Sequence, residues 1–183
     1  MYDDWFDDEG ANSQHKTFLD VLRNSARSWP ECPPNATSVL LYPDPDDEDE
    51  EYVEPNPSGY AEYDAALKDA FVREEPVLEA IVYIIDFGGN LRLKVLGATL
   101  VGTKLLCMER NDSFWPVPSK DVKTLEATGS SEELGRVAAA WFEEIVRRPV
   151  ISAPRPPGTW YFAAPDTALP TGHRWARNGP NAE

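Results

Sequence analysis

Apolar residues recur at every third or fourth position between residues 130 and 149, and this is the clearest pattern in the chain. The spacing places them on one side of an α-helix, and they form the stripe Leu134, Val137, Ala138, Trp141, Phe142, Ile145 and Val146. Ser130 and Glu133 have the spacing of a capping box, and Pro149 ends the segment. The sequence therefore predicts an amphipathic helix that covers an apolar surface. Gly135 is its one unfavourable residue, unless another element packs closely against it.

Several segments before and after this helix have the alternating or β-branched composition of strands. Such strands are predicted at residues 38–42, 77–86, 91–95, 99–108, 122–128, 150–152 and 159–163. Gly97 and Gly102 are predicted to mark a turn or a bulge, and residues 87–90 a turn. The prolines of residues 114–118 suit an extended segment at a sheet edge.

Two further helices are predicted in the N-terminal half of the chain. Residues 13–29 place one set of side chains on a common face, namely Phe18, Val21, Leu22, Ser25 and Trp29. Residues 59–75 do the same with Tyr60, Tyr63, Leu67, Ala70 and Phe71. The predicted fold class is thus α+β: an antiparallel sheet of about four to six strands packs against the helix at residues 130–149, with N-terminal helices and an acidic loop.

A length of 183 residues fits one domain with appendages. We predict an acidic, aromatic tail over residues 1–11 and a single α+β domain over residues 12–163. Within that domain, residues 43–58 are predicted to form a mobile acidic loop because so many like charges cannot pack together. Residues 164–183 contain Gly, Pro, Asn and Arg, and are predicted to form a weakly ordered tail.

The net charge of -15 is concentrated in one part of the chain. Residues 1–75 contain 20 acidic and 5 basic side chains, a net charge of -15, whereas residues 76–183 contain 12 of each. The acidic part would repel nucleic acid and anionic membranes and would attract a basic protein. We therefore expect a basic protein partner and no direct binding of nucleic acid, and the charge leaves the oligomeric state open.

The distribution of apolar residues predicts a protein without a membrane segment. The acidic N-terminus has no apolar core of a signal peptide, and no apolar run reaches the roughly 20 residues that span a bilayer. A cytoplasmic location is therefore predicted. Cys107 lies in an apolar run and is predicted to be a buried thiol, whereas Cys32 lies among prolines in a loop. A disulfide between the two cysteines is neither required nor excluded.

Acidic and aromatic residues are interleaved in the N-terminal half, and seven acids occupy eight positions over residues 44–51. These segments can be a solvated tail and a solvated linker, or they can be docking segments that order on a partner. The candidate partner-binding residues are Trp5, Phe6, Asp44, Asp46, Asp47, Glu48, Asp49, Glu50, Glu51 and Tyr52. The predicted function is an acidic protein-binding module, such as an immunity or inhibitor protein or an adaptor, which contacts a basic partner.

Motifs of enzymes and metal sites do not occur in the sequence. Its two histidines, His15 and His173, lie near opposite ends of the chain, which disfavours a His-based triad or metal site. Glycine-rich phosphate loops and the Gly-x-Ser-x-Gly elbow are also missing. We therefore predict no catalytic residues, no metal ligands and no cofactor. The alternative is a small enzyme or ligand-binding module with a pocket between sheet and helix, marked by polar groups of shifted pKa.

Residues 125–150 contain an Ala-Thr-Gly motif, then Trp141-Phe142, then Arg147-Arg148-Pro149-Val150. In this order, after several strands, the motifs resemble small proteins of actinomycete bacteria that have no known activity. The resemblance covers residues 77–150 and excludes the acidic part of the chain. It implies a bacterial, cytoplasmic origin and no site residues.

Overall fold

The structure, a computed structural model of the chain, describes residues 5–29, 32–42, 61–73, 75–85, 92–110, 122–154, 160–163 and 167–179. Its helices are α1 (Ser13–Ala26), α2 (Ala61–Val72) and α3 (Ser131–Val146), and a short 3-10 turn covers Pro34–Ala36. Its strands are β1 (Thr37–Tyr42), β2 (Val77–Ile85), β3 (Arg92–Val101), β4 (Lys104–Arg110), β5 (Leu125–Thr128), β6 (Val150–Ser152), β7 (Trp160–Phe162) and β8 (Arg174–Arg177). The predicted loop at residues 43–58, the turn at 87–90 and the segment at 114–118 lie outside the described residues.

The strands form two antiparallel sheets. The larger sheet has the order β1-β2-β3-β4-β5, in which each strand pairs with its neighbours in the sequence. The smaller sheet has the order β7-β6-β8. The α+β class and the antiparallel sheet are therefore confirmed. Strand β8 lies within the range 164–183, for which the sequence indicates no strand.

Helices cover both faces of the larger sheet. Alternate side chains of β2, from Leu78 to Ile84, join the main core cluster beneath α1 and α3. Val77 of β2 and Leu106 of β4 point to the opposite face, where Ala70 and Leu67 of α2 pack against them. The sheet is thus the middle layer of three, and this double burial explains why the strand predicted at residues 77–86 is apolar almost throughout.

The predicted amphipathic helix is confirmed as α3. Its Ser130 hydroxyl accepts a hydrogen bond from the Glu133 N–H, and the Glu133 carboxylate accepts one from the Ser130 N–H. Trp141 is 6% exposed and Phe142 is 0% exposed, so the stripe lies inward as expected. The helix covers the sheet jointly with α1, because α3 packs along α1 as well as against β4 and β5.

The expected break near Gly97 is wrong, since β3 runs through this residue without interruption. A Cβ atom at Gly97 would lie 2.6 Å from Glu79 Oε1 and 2.8 Å from Arg110 Cδ, so the glycine makes room for two side chains of the neighbouring strands. The turn predicted at Gly102 is confirmed, with a φ of 55° between β3 and β4. The residues predicted as one strand over 99–108 therefore belong to two.

Gly135 of α3 lies where this helix touches α1 most closely. A Cβ atom at this position would be 2.9 Å from Val21 Cβ and 3.1 Å from the Phe18 carbonyl oxygen. These atoms belong to the backbone or stand next to it, so they cannot move aside as the end of a long side chain can. The unfavourable glycine in the helix is thus explained by the close approach of two helices.

Because of this contact, Gly135→Ala is expected to lower the free energy of unfolding by about 2 kcal/mol. Helix propensity alone predicts the opposite, a gain of about 1 kcal/mol. Urea denaturation measures the difference, with Ala140→Gly on the exposed side of α3 as the control for propensity. Val21→Gly should partly rescue Gly135→Ala in a double-mutant cycle. A more stable Gly135→Ala protein would show that the two helices do not approach as described.

Candidate functional site

The N-terminal arm, residues 5–9, carries the first two candidate partner-binding residues, and the structure directs both toward the body of the protein. Phe6 is 1% exposed, and its ring centroid lies 6.3 Å from those of Trp29 and Phe142. The indole of Trp5 is half-buried and donates a hydrogen bond of 2.7 Å to the Cys32 carbonyl oxygen. The ring of Phe6 is thus enclosed in the core, and the assignment of Phe6 to a partner-binding surface stays a prediction.

Arg23 of α1 holds this arm in place through hydrogen bonds to its backbone. Its guanidinium donates hydrogen bonds to the carbonyl oxygens of Trp5, at 3.1 Å, and Phe6, at 2.9 Å. The Phe6 N–H donates to Thr37 Oγ1 of β1 at 3.1 Å. Phe6 has a φ of 51°, a conformation that costs a non-glycine residue roughly 1–2 kcal/mol. The hydrogen bonds and the buried ring offset this cost, so the arm is a fixed part of the fold.

The acidic side chains of the arm point the other way. Asp7 and Glu9 are exposed, while Asp8 forms an ion pair of 3.6 Å with Arg23. Asp20 of α1 forms a second ion pair with Arg23 at 2.6 Å. The arm thus exposes carboxylates to solvent around the guanidinium of Arg23, which already forms ion pairs with Asp8 and Asp20. The other candidate residues, Asp44, Asp46, Asp47, Glu48, Asp49, Glu50, Glu51 and Tyr52, lie outside the described residues.

Glu79 of β2 and Arg110 of β4 form a buried ion pair across the larger sheet, on the face that α2 covers. Their side chains are only 6% and 10% exposed, and they meet above Gly97 of the strand between them. Burial raises the pKa of Glu79 to about 7, although the charge of Arg110 and its hydrogen bond act to lower it. Glu79 is therefore a carboxyl group that takes up a proton near neutral pH.

A second charged cluster lies where the smaller sheet meets the larger one. Lys94 of β3 donates to Glu109 Oε1 of β4 at 2.5 Å, and its ammonium lies 5.8 Å from the ring centroid of Phe162. The guanidinium of Arg148 lies 4.7 Å from the same centroid. Arg177 of β8 is 1% exposed and donates to the Ile85 carbonyl oxygen at 3.4 Å. These contacts join the two sheets through charge-assisted hydrogen bonds and cation–π interactions.

Sequence reasoning missed both charged clusters. The available signal was a charge inside an apolar strand, such as Glu79 within residues 77–85. A buried charge requires a partner, so such a residue marks an ion pair before its partner is known. Its partner Arg110 lies 31 positions away, and only the strand order brings the two together.

The side chains of His15, Cys32 and Cys107 are buried, and burial favours the neutral form of each. Desolvation lowers the pKa of His15, opposed by a hydrogen bond with the Pro76 backbone. Burial raises the pKa of Cys32 to about 11 and that of Cys107 further still. Both cysteines are free, and the predicted burial of Cys107 is confirmed. Neither thiol forms the thiolate that nucleophilic chemistry near neutral pH requires.

These observations define an α+β protein with a three-layer body, two buried ion pairs and an N-terminal arm that is docked into the core. No family model, curated protein or solved structure matches the chain. In the part of the chain that the structure describes, no three His, Cys, Asp or Glu residues are grouped so that they could hold a metal ion. None of the described helices has the length and apolar character to cross a membrane. The resemblance to actinomycete proteins stays a prediction.

Proposed function

We propose that the protein is an acidic binding module that contacts a basic protein partner. The observation that carries the proposal is the segregation of charge: residues 1–75 hold a net charge of -15, and residues 76–183 hold none. A folding unit needs no such excess, because like charges repel and destabilise the compact state. The excess therefore suits contact with a surface of opposite charge.

Two of the five bases in the acidic part, Arg23 and Arg73, form ion pairs with acids of the same part. Arg23 is engaged by Asp8 and Asp20, and Arg73 of the segment after α2 is engaged by Asp69 and Glu75. The basic side chains thus screen neighbouring acids and leave the exposed carboxylates in excess. Exposed carboxylates of this kind raise the rate at which a basic partner is encountered and select against acidic ones.

An immunity or inhibitor protein and an adaptor would both use the acidic surface to bind the basic partner. The two roles differ in the activity of that partner. If the protein were instead an enzyme or a ligand-binding module, polar groups would line a pocket between α3 and the sheet. The described side chains that α3 buries are all apolar, from Leu134 to Val146. The proposal therefore rests on the acidic surface.

Removal of two acids from residues 44–51 is expected to weaken partner binding about tenfold at low salt, with a smaller effect at high salt. The variant is Asp47→Asn/Asp49→Asn, and the partner is captured from an extract of the source organism, purified and titrated by calorimetry. Titrations at about 50 mM and about 300 mM salt give the salt dependence, because exposed charges are screened at the higher concentration.

The matched control is Glu126→Gln/Glu144→Gln, which removes the same charge from two exposed positions in the neutral part of the chain. The control protein is expected to bind as the unaltered protein does. Equal affinity of all three proteins, or binding that does not weaken with salt, would contradict the proposal.

A further inference from the structure

Asn178 lies directly after β8, where this strand meets the end of α3. Its Nδ2 atom donates a hydrogen bond of 2.9 Å to the carbonyl oxygen of Val146, the last residue of α3. The last carbonyl groups of a helix have no N–H partner within the helix. The side chain of Asn178 therefore caps α3 from another element, and it ties the end of β8 to the helix that covers the larger sheet.

Two separate constraints favour the dipeptide Asn178-Gly179 at this place. Asn178 has a φ of 50°, in the left-handed region that asparagine adopts more readily than most other residues. A Cβ atom at Gly179 would lie 2.7 Å from Trp175 Cβ, an atom that no change of rotamer moves. The fold thus explains why the one Asn-Gly pair of the sequence stands at the end of β8.

An asparagine that precedes glycine is chemically reactive, because glycine has no side chain to shield its backbone nitrogen. This nitrogen, once it has lost its proton, bonds to Cγ of the asparagine, and the bond from Cγ to Nδ2 breaks with release of ammonia. The resulting succinimide ring then takes up one water molecule at either of its two carbonyl groups. The products are aspartate and isoaspartate. Asn178 and Gly179 are both half-buried, so solvent water reaches them.

We propose that Asn178 is a site of spontaneous deamidation, and that opening of its hydrogen bond to Val146 controls the rate. The bound Nδ2 atom holds the side-chain amide in place, so this amide must be released before the Gly179 nitrogen can attack Cγ. The product removes the cap, because a carboxylate accepts hydrogen bonds but cannot donate one to the Val146 carbonyl. Deamidation therefore loosens the end of β8 irreversibly and without an enzyme. The inference is independent of the proposed function.

The test incubates the full-length protein for several weeks at mildly alkaline pH, which deprotonates more of the backbone nitrogen. Mass spectrometry of its proteolytic peptides should show a gain of about 1 Da in the peptide that contains Asn178, together with isoaspartate. Asn12 and Asn24 are internal controls, since each precedes a serine, and they should change at least about tenfold more slowly. The variant Asn178→Gln should show no gain at residue 178, because its longer side chain closes a six-membered ring much more slowly.

Control by the hydrogen bond is tested with urea at concentrations that leave the protein folded. The rate at Asn178 should rise several-fold as urea opens the end of β8. A folded protein that keeps Asn178 intact while the urea-unfolded protein deamidates there would overturn the site. Equal rates in the folded and the unfolded protein would overturn the control by the hydrogen bond.

The loss of the cap is tested with Asn178→Asp, which reproduces one of the two products. Without the hydrogen bond to Val146, amide hydrogen exchange within residues 174–177 should be about fivefold to tenfold faster than in the unaltered protein. Asn24→Asp adds the same charge at an exposed position of α1 and is expected to leave this exchange unchanged. Equal exchange in Asn178→Asp and the unaltered protein would overturn the loosening of β8.

Discussion

Replacement of Phe6 by alanine is expected to lower the free energy of unfolding by about 3 kcal/mol or more. The ring is 1% exposed and touches Trp29, which follows α1, and Phe142 of α3. Its loss removes buried apolar area and leaves a cavity beside the rings of Trp29 and Phe142. Guanidinium denaturation followed by tryptophan fluorescence measures the change, because Trp29 is part of the affected cluster.

Asp7→Ala is the matched control, since the neighbouring side chain is exposed and is expected to change stability by less than about 0.5 kcal/mol. The two variants also separate the two roles considered for the arm. If Phe6→Ala leaves stability unchanged but weakens partner binding, the aromatic residue serves contact rather than folding. That result would contradict the docked arm and support the sequence-based assignment of Phe6 to partner binding.

The arm shows which features the sequence can predict. Helix α3 was predictable because its cap, its periodicity and its stop signal lie within 20 residues. The place of Phe6 depends on Phe142, 136 positions away, and nothing in the local pattern of acids and aromatics signals this contact. The mixture of acidic and aromatic residues favoured either a solvated tail or a segment that docks on a partner. The chain instead adopts a positive φ at Phe6, which turns the ring inward while the acids stay outside.

Gly102 and Gly97 show where the role of a glycine can be predicted from the sequence. Gly102 has a positive φ in a tight turn, which is what its position between two apolar segments predicted. Gly97 has no such conformation and lies inside β3, because side chains of β2 and β4 cross above it. The sequence contains no local signal for this role. This role of Gly97 can be recognised only after the burial of Glu79 and the register of β2, β3 and β4 are known.

The second large effect concerns the pH dependence that Glu79 confers on stability. Its pKa rises from 4.5 to about 7 on folding, so between these values the folded state binds more protons than the unfolded state. The contribution of Glu79 is therefore fully present below about pH 4.5 and is lost as the pH rises through about 7. The pKa shift corresponds to about 3 kcal/mol. The free energy of unfolding should therefore fall by about this amount between pH 4.5 and pH 7.

Denaturation of the unaltered protein and of Glu79→Gln at about pH 4.5 and about pH 7 isolates this contribution. Glutamine keeps a hydrogen-bond acceptor for Arg110 and does not titrate, so the fall should be about 3 kcal/mol smaller in the variant. Other titrating groups change the stability of both proteins equally. Among them is His15, whose pKa is lowered on folding, so below its unfolded value of 6.5 it makes stability rise with pH, opposite to Glu79.

Arg110→Met provides the complementary test, because it removes the positive charge of Arg110, which lowers the pKa of Glu79. The loss of stability should then continue to higher pH. The variant should be least stable at the pH at which Glu79 would have to ionise without Arg110. Equal pH dependence of Glu79→Gln and the unaltered protein would contradict the raised pKa. It would mean that the attraction of Arg110 outweighs burial and keeps Glu79 ionised, and the pair would then act as a fixed ionic link between β2 and β4.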